Sequence, residues 1–575
     1  MTLLFLFIIA LPEDLLLKTE QDIDFELILK DLEYLRSHPL DINSAGVEDL
    51  AQIPFLSLNM CIRIVEYRTE YGPFRSLSDL SRIGGIDRPL VDVIGPYLRI
   101  GLKKVELKKI TARARVTTEL PVEDQSSEYY TRMGVSLDQY GLYTVTEKDP
   151  YEKKFFDHYA VGLLVDEGVR QFALGKYNLD LGAGVVLSSV GSFFRGLDFR
   201  VMMNERGLIP YTSTVENGGF FGAAFSDSLF VKYTLFYSNQ KLDGRVDSLG
   251  FARSFDESGE HVDSVSLSRK DQINEEIFGY DLRYRRPNML ISSRAFSCSY
   301  DPAFASTDSL ARFYGEDFYI TSVELRYFGE SFVFFSEIAR SWKNHIGGLF
   351  GFSAVFPYID FTLAGKYFPT GFFSPKGIEA VANLAGGTVD LRHHSRVVDV
   401  GLNLTLDNKI DEDTTKYDLR LNLSKRLGIL DARVNFRRRY RADEKDISGS
   451  EVLLRIKPVR FLFFDFRFEQ RSVFGETVES GIFGALELGL DFKDFDARVR
   501  YGVFDTDSYA ARIYAYEIDL PGIVNNRMLY GRGYYGFVYL AVKPIQGIKA
   551  SAKYSSVSRD GDADKKMGGQ IDFSF

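Results

Sequence analysis

Residues 461–471 have the sequence FLFFDFRFEQR, in which apolar and polar side chains alternate. The apolar face carries Leu462, Phe464, Phe466 and Phe468, and the opposite face carries Asp465, Arg467 and Glu469. Successive side chains of an extended chain point to opposite faces, so this period of two predicts a β-strand between an apolar and a polar environment. The fold depends on how many such strands the chain contains and on what faces their apolar side.

Similar alternating segments follow one another from about residue 103 to residue 575, for example KYDLRLNLSKRL at 416–427 and DFDARVRYG at 494–502. Polar turn sequences such as SRDGDADKK at 558–566 separate them. We count roughly 20 to 24 segments, each near the ~10 residues that a tilted membrane-spanning strand requires. The abundance of Phe (48), Tyr (33) and Gly (49) also favours strands and turns.

A soluble all-β protein, such as a propeller or a series of sandwiches, would also alternate, but it would show an internal repeat, and we find none. A closed barrel removes the edges that so many strands would leave, and it places an apolar face towards lipid. The sequence therefore predicts a mainly β fold: a large transmembrane antiparallel barrel of roughly 20 to 24 strands at 103–575, preceded by a small all-α domain.

A basic ladder is predicted on one strand of this barrel, around NFRRRYRADEK at 435–445. Arg433, Arg437, Arg439 and Arg441 share one face, whereas Val434, Phe436 and Tyr440 lie on the other. Arg438 breaks the pattern and is expected near the rim. A lumen lined in this way could select anions or pass a polyanion. Alternatively, Asp465, Glu469 and Asp496 of neighbouring strands neutralise the ladder.

The C-terminal sequence QIDFSF at 570–575 alternates Ile571, Phe573 and Phe575 with polar residues. It resembles the C-terminal signal of bacterial outer-membrane barrel proteins. This resemblance implies an outer-membrane location, contact with outer-membrane lipid and recognition of these three residues by the barrel-assembly machinery.

The N-terminal sequence MTLLFLFIIAL has the length of the apolar core of a signal peptide, so residues 1–12 are expected to direct export. It lacks the basic residues that usually precede such a core, and a buried helix is the alternative. Residues 13–38 carry apolar positions at helical spacing with charges between them, which predicts an amphipathic helical segment.

Residues 39–101 contain helix start and stop signals that predict four or five short helices. The helix through Ile64 is predicted to end at Gly72-Pro73, because a glycine followed by proline is a common helix stop. Ser76 and Asp79 fit a capping box at the start of another helix.

This segment resembles the tandem helix-hairpin-helix domain of the ComEA competence family, an exported DNA receptor. The matching stretches are DINSAGVEDLAQIP, IVEYRTEYGPFRSLSDLSRIGGID and IGPYL. The order of the two parts, a helix-hairpin-helix domain followed by a large barrel, also resembles uncharacterised outer-membrane proteins of the Bacteroidetes type. The stretches of this chain that carry the second resemblance are LGKYNLDLGAGVVL, RGLIPYTSTVE and YGRGYYGFVYLAVKPIQG. The first resemblance implies backbone contacts to phosphate, and hence binding of double-stranded DNA without regard to sequence.

Carried onto this chain, the resemblance gives the DNA-binding candidates Leu56, Ser57, Arg82, Gly84, Gly85, Ile86 and Arg88. The chain departs from the family pattern at the first hairpin, Phe55-Leu56-Ser57, which has no glycine, and at Asp87 of the second. Between residues 41 and 99 there are six arginines, no lysine and eight carboxylates, a net charge of −2. A phosphate-binding surface is usually basic.

No catalytic or metal-binding pattern is found, and the protein is predicted not to be an enzyme and to need no cofactor or metal. Cys61 and Cys298 lie in different units, so no disulfide is expected. His393 and His394 are adjacent, and neighbours on a strand point to opposite faces, so no shared metal is expected.

Two functions remain open. The first is reception or passage of DNA across the outer membrane. The second is a transport or scaffold barrel whose degenerate helical domain, exposed to the periplasm, plugs the pore or docks a periplasmic protein partner. The overall charge of −10 means that any contact with nucleic acid must be local.

Overall fold

The computed structural model describes residues 35–36, 39–53, 55–56, 58–84, 86, 88–101, 109–123, 126–152, 157–188, 206–256, 259, 261–286, 288–305, 313–329, 331–356, 358–377, 383–393, 395, 397–412, 414–441, 445–523 and 525–575. The expected export segment at 1–12 and most of the expected helix at 13–38 lie outside these residues, as do Ser57, Gly85, Asp87 and His394. No helix in these ranges has the length and apolar run needed to cross a membrane.

The helical unit comprises α1 (Val47–Ala51), α2 (Leu58–Tyr71), a 3-10 helix (Leu77–Arg82), α3 (Arg88–Ile94) and a 3-10 turn (Gly95–Tyr97). Helix α2 ends where predicted, because Gly72 adopts a positive φ of 88° that disfavours other residues. The capping box of Ser76 and Asp79 is confirmed at the first 3-10 helix. Sequence reasoning missed the parallel pairing of Leu40–Asp41 with Leu98–Arg99, which joins the two ends of the unit.

The core of this unit consists of aliphatic side chains from every helix. Ile42, Leu50, Ile53, Leu56, Ile64, Leu80 and Ile94 are all fully buried. Cys61 is buried here and Cys298 is buried in the barrel, and neither forms a disulfide. These side chains form one hydrophobic cluster with buried residues of the barrel, so the helical unit packs against the barrel.

The rest of the chain forms a closed antiparallel barrel of 24 strands, which confirms the predicted fold. Its strands in chain order are β1 (Lys109–Leu120), β2 (Ser127–Leu137), β3 (Tyr140–Lys148), β4 (His158–Asp166), β5 (Gln171–Asp180), β6 (Phe220–Ser228), β7 (Lys232–Leu242), β8 (Ile273–Arg286), β9 (Met289–Phe304), β10 (Gly315–Phe328), β11 (Phe332–Arg340), β12 (Ile346–Val355), β13 (Ile359–Phe368), β14 (Leu384–His393), β15 (Asp399–Lys409), β16 (Thr414–Leu427), β17 (Leu430–Arg441), β18 (Asp446–Val459), β19 (Leu462–Phe474), β20 (Val478–Phe492), β21 (Phe495–Thr506), β22 (Arg532–Ile545), β23 (Ile548–Arg559) and β24 (Asp562–Ser574).

Smaller elements lie in the connections. They are the strands Gly207–Pro210, Gly244–Val246, Ala252–Phe255, Ile513–Glu517 and Asn525–Leu529, the helix Ser264–Leu267, and the 3-10 turns Trp342–Asn344 and Tyr509–Ala511. Long connections, such as 181–219, 243–272 and 507–531, occur at one end of the barrel, which we call the outer end. Short turns, such as 138–139, 287–288 and 546–547, occur at the other, the inner end, where β1 begins and β24 ends.

The two faces of the wall differ as the alternation predicts. On β19, Phe464, Phe466 and Phe468 are 40–45% exposed on the outside, whereas Asp465 is only 8% exposed on the inside. The same pattern recurs around the wall, with exposed Leu486 and Leu488 flanking buried Glu487 on β20. An apolar exterior around a polar interior is the arrangement of a transmembrane barrel.

The barrel closes where β1 pairs with β24, from Thr111 opposite Ser574 to Leu120 opposite Lys565. Ile571 and Phe573 face outward on β24, while Phe575 extends this seam. The amide of Phe575 donates to the carbonyl of Ile110 at 2.9 Å, and the amide of Ile110 donates back at 2.8 Å. Phe575 therefore contributes backbone bonds as well as an aromatic side chain.

Deletion of Phe575 is expected to slow assembly and to lower the free energy of unfolding by about 1–3 kcal/mol, because two seam hydrogen bonds are lost. Heat-modifiable migration on gels and urea unfolding in vesicles measure the two effects. Phe575→Tyr keeps the backbone and the ring and serves as the control. Wild-type assembly of the deleted protein, or recovery of residues 109–575 as a monomer soluble without detergent, would contradict this account.

Candidate nucleic-acid interface and pore lumen

The second hairpin of the helical unit lies between the 3-10 helix Leu77–Arg82 and α3. Ile83 and Ile86 are buried and fix the turn, and the Ile86 amide donates to the Ile83 carbonyl at 3.0 Å. Gly84 and Arg88 are exposed, and the Arg82 side chain is 68% exposed. Of the described candidates on this hairpin, Arg82, Gly84 and Arg88 can therefore reach a ligand, whereas Ile86 belongs to the core.

Arg82 is surrounded by groups that favour its charge. Its guanidinium lies 3.3 Å from Asp79, and a hydrogen bond to Tyr67 followed by the Asp79 charge raises the pKa of Arg82. This arginine is a permanent cation beside the hairpin, although Asp79 offsets part of its field.

The described residues of the first hairpin, Phe55 and Leu56, are both buried. Leu56 is fully buried, and its amide donates to the Ile53 carbonyl at 3.0 Å. Phe55 is also buried and its ring lies 5.9 Å from that of Tyr97. Leu56, one of the residues predicted to contact DNA, is thus a core residue whose amide is already bonded.

Arg63 of α2 links the second hairpin to the barrel. One guanidinium nitrogen donates to the Gly84 carbonyl at 2.9 Å, and the other donates to the Phe356 carbonyl at 3.3 Å and to Asp360 at 3.4 Å. Asp360 is buried and faces inward on β13, next to the inner end. The hairpin is therefore tied to the inner rim of the lumen.

A second approach to the rim occurs at the start of α1. A Cβ on Gly46 would lie 3.2 Å from Nη2 of Arg285, which is near the inner end of β8. Strands β8 and β13 are separated by four others around the wall. The helical unit thus meets the inner rim at two separate places, so it lies over part of the inner mouth.

The arginines of the basic ladder lie on the inward face of β17. Arg433, Arg437, Arg439 and Arg441 are half-buried, and Val434, Phe436, Arg438 and Tyr440 are exposed on the outside. Opposite Arg437 stands Arg420 of β16. On these two strands the inward cations are Lys416, Arg420, Arg426, Arg433, Arg437, Arg439 and Arg441, and the inward carboxylates are Asp418 and Asp431.

These two carboxylates are shared among four arginines. Asp418 contacts Arg420 at 3.0 Å and Arg437 at 2.5 Å, and Asp431 contacts Arg426 and Arg433 at 3.4 Å each. The carboxylates proposed from the sequence bond elsewhere: Asp465 to Arg455, Glu469 to Arg467 and Asp496 to Arg498. The ladder is therefore paired by different partners, and its wall keeps an excess of positive charge.

Two outer-end connections fold into the lumen. The hairpin of Ile513–Glu517 and Asn525–Leu529, here the 513–529 hairpin, buries Glu517 completely. Glu517 accepts from Asn525 at 2.7 Å, from Tyr535 at 2.9 Å and from Lys553 at 2.8 Å. Because Tyr535 and Lys553 point inward from β22 and β23, the hairpin lies inside the barrel.

The segment 181–188 folds inward over the opposite wall. The Val185 amide donates to Glu337 at 3.1 Å, and its carbonyl accepts from Ser374 at 2.6 Å. Beneath this segment, the fully buried Arg294 bonds Asp281 at 3.0 Å, Glu324 at 2.7 Å and Glu337 at 2.6 Å. Good pairing is needed for such buried charges to be tolerated.

The 513–529 hairpin and segment 181–188 thus cover inward side chains on two opposite parts of the wall. The inward side chains of β14–β18 are mostly only half-buried. Within the described residues, the least covered wall of the lumen is therefore the one that carries the ladder. Sequence reasoning named the ladder but missed Arg63, Arg294 and Glu517, because their partners are far away along the chain.

Comparison with protein families gives a match to the helix-hairpin-helix motif over residues 36–99. The curated relatives include the endonuclease/exonuclease/phosphatase family domain-containing protein 1 of Bos taurus, 44% identical over 55 residues, and that of Homo sapiens, 42% identical over 55 residues. The match covers 10% of this chain and 10% of each relative, so the chain spans about a tenth of the length of these curated relatives. It lies in the helix-hairpin-helix region.

Among solved structures, the P pilus usher (PapC) translocation pore aligns with 81% of this chain and 99% of its own, at 8% identity and a TM-score of 0.37. The copper transporter OprC aligns with 83% of this chain and 82% of its own, at 11% identity and a TM-score of 0.39. The ferric enterobactin receptor of Pseudomonas aeruginosa aligns with 83% of each chain, at 8% identity and a TM-score of 0.41.

Replacing residues 513–529 with a short Gly-Ser linker is expected to raise single-channel conductance in planar bilayers severalfold, because the hairpin fills part of the lumen. Heat-modifiable migration confirms that the barrel still closes. Glu517→Gln weakens the anchor without shortening the chain and should cause transient openings to the higher level. An intact barrel with unchanged conductance would show that the hairpin does not obstruct the passage.

Proposed function

We propose that this protein is a bacterial outer-membrane pore for anionic polymers, with DNA as its candidate ligand. The observation that carries the proposal is the excess of arginine and lysine on the least covered wall of the lumen. A polyanion moving along β16 and β17 would exchange its counterions for these fixed cations. The hydrophobic exterior and the large closed barrel supply the membrane-spanning part.

The helix-hairpin-helix unit extends this proposal to the inner end. Outer-membrane barrels usually have short periplasmic turns and longer extracellular loops, so the end with short turns is taken as periplasmic. The helical unit lies at that end, beside Asp360. Its match to a motif that contacts phosphate through the backbone supports DNA as the ligand, bound at Arg82, Gly84 and Arg88 without regard to sequence.

Arg63 favours a second candidate, in which the helical unit is a plug of the inner mouth. Its guanidinium bonds the hairpin and the barrel at once, and Asp360 is nearly inaccessible to solvent. A partly buried pair of this kind holds two units in a fixed register. In this second function the unit closes a transport barrel or docks a periplasmic protein.

DNA binding is tested with the full-length protein in detergent and duplexes of unrelated sequence. In the DNA-binding function, Arg82 and Arg88 would each contact a phosphate. Two such contacts predict that the affinity for DNA falls about tenfold between ~50 and ~200 mM salt, whereas the plug function predicts no DNA binding. Arg82→Gln with Arg88→Gln should abolish binding, and Arg75→Gln, an exposed arginine away from the hairpin, is the control. Asp87→Gly should strengthen binding by removing a carboxylate. If no duplex binds at low salt and Asp87→Gly does not restore binding, the plug function remains.

Anion preference of the pore is tested separately by the reversal potential across a salt gradient. Arg437→Gln with Arg439→Gln removes two lumen cations and should lower the anion-to-cation permeability ratio severalfold. Arg438→Gln is a matched control, because this arginine lies between the other two in sequence but faces outward and pairs with Asp446 at 2.7 Å. Equal effects of the inward and outward changes would contradict a role of the ladder in selectivity.

A further inference from the structure

Five acidic or imidazole side chains meet at the outer end, far from the helical unit. They come from three outer-end connections: Glu152 and Asp157 from the one before β4, Glu216 from 181–219, and Asp243 and His261 from 243–272. Two sets of three, Glu152/Asp157/His261 and Glu216/Asp243/His261, have donor atoms within 4.8 Å of one another. We call these five residues the His261 cluster.

On the Nδ1 side of the imidazole, the carboxylates already have partners. Glu152 accepts from the amides of Asp149 at 3.0 Å and His261 at 3.1 Å. Asp157 accepts from Lys270 at 2.6 Å and is hydrogen-bonded to Nδ1 of His261. A proton on Nδ1 directed at Asp157 leaves the lone pair of Nε2 unused.

On the Nε2 side, a buried carboxylate oxygen lacks a partner. Asp243 is 4% exposed, and its Oδ1 accepts from the Asp271 amide at 2.7 Å. Its Oδ2 lies 3.2 Å from Nε2 of His261 and makes no hydrogen bond. A buried carboxylate oxygen without a donor is costly, so this atom points to a missing cation.

Glu216 is the second carboxylate of the set that contains Asp243. Its Oε2 lies 3.7 Å from Nδ1 of His261, and one donor atom from each of Glu216, Asp243 and His261 lies within 4.8 Å of the others. The ammonium of Lys270 lies on the Nδ1 side, 3.1 Å from that nitrogen and 3.9 Å from Glu216 Oε1. Lys270 is therefore one cation beside Asp157 and Glu216, and the four carboxylates of the His261 cluster outnumber it.

We propose that Nε2 of His261, Oδ2 of Asp243 and the carboxylate of Glu216 form a binding site for a zinc ion. One imidazole and two carboxylates are ligands that Zn²⁺ takes, and Ca²⁺ and Mg²⁺ prefer oxygen alone. Asp157 then performs the usual outer role of a carboxylate, which holds a metal-bound imidazole in the correct tautomer. Glu216, the most exposed of the three ligands, gives the ion its route from solvent.

The ion would join two outer-end connections, 181–219 and 243–272, and the bond between His261 and Asp157 would link them to a third, the connection before β4. Binding to the folded state alone stabilises that state in proportion to the logarithm of the zinc concentration. The site thus clamps the loops that surround the outer mouth, independently of whether the helical unit binds DNA.

The test uses the full-length protein in detergent, stripped with a chelator and titrated with Zn²⁺ alone. Elemental analysis after gel filtration should find a single zinc ion per chain. X-ray absorption of the wild-type protein should show imidazole scattering and nitrogen or oxygen neighbours at about 2.0–2.2 Å, without sulfur. Failure of the wild-type protein to retain zinc, or a first shell that contains sulfur or no imidazole, overturns the proposal.

Asp243→Asn and Glu216→Gln should each weaken zinc binding by at least about 10- to 100-fold. Removal of a residue that only supports a metal ligand typically has an effect of this size, and loss of a ligand itself should cost at least as much. Glu476→Gln alters a carboxylate in another outer-end turn and should leave the affinity unchanged. Heat-modifiable migration shows which variants fold. The proposal is overturned if the folded variants all bind zinc with equal affinity, that is, if Asp243→Asn and Glu216→Gln match Glu476→Gln. The ion would then lie elsewhere.

Discussion

The closure between β1 and β24 is the constraint on which the rest of the structure depends. In a bilayer no water is available to bond exposed amides and carbonyls, so a sheet is stable only when its first and last strands pair. The register from Thr111–Ser574 to Leu120–Lys565 provides this pairing and fixes which side chains face lipid. A shift by one residue would turn Ile571 inward and Gln570 outward, and the same exchange of faces would apply along the whole strand.

Closure with 24 strands creates a lumen much wider than side chains can fill. The chain fills part of it with its own outer-end connections, and each brings polar groups into a polar wall. Glu517 of the 513–529 hairpin finds Lys553 and Tyr535, and segment 181–188 covers the ion pairs of Arg294. Because both connections are held on other parts of the wall, strands β14–β18 are less covered. This less covered part includes β16 and β17, which carry the excess of positive charge.

The strands could be predicted because their signal is local. Alternation in a short stretch is enough to place Phe466 outside and Arg467 inside, and it even assigns Arg438 to the face opposite Arg437. The partners of those side chains could not be predicted, because register decides them. Asp465 was a plausible neighbour of the ladder, but the pairing of β18 with β19 places it opposite Arg455. Contacts such as Arg63–Asp360, 297 residues apart, have no local signature at all.

The same limit explains why the helical unit could be recognised more easily than its role. Its helices follow from glycines, caps and apolar spacing within about sixty residues. Its position depends on Arg63, which bonds Gly84 of the hairpin and Asp360 of the wall with one guanidinium. A ligand that moved the hairpin would weaken the bond between Arg63 and Asp360, and a change at the wall would weaken the bond between Arg63 and Gly84. Two sites that depend on one group are thermodynamically linked, so phosphate binding at the hairpin and seating of the unit on the inner mouth would alter each other by the same free energy.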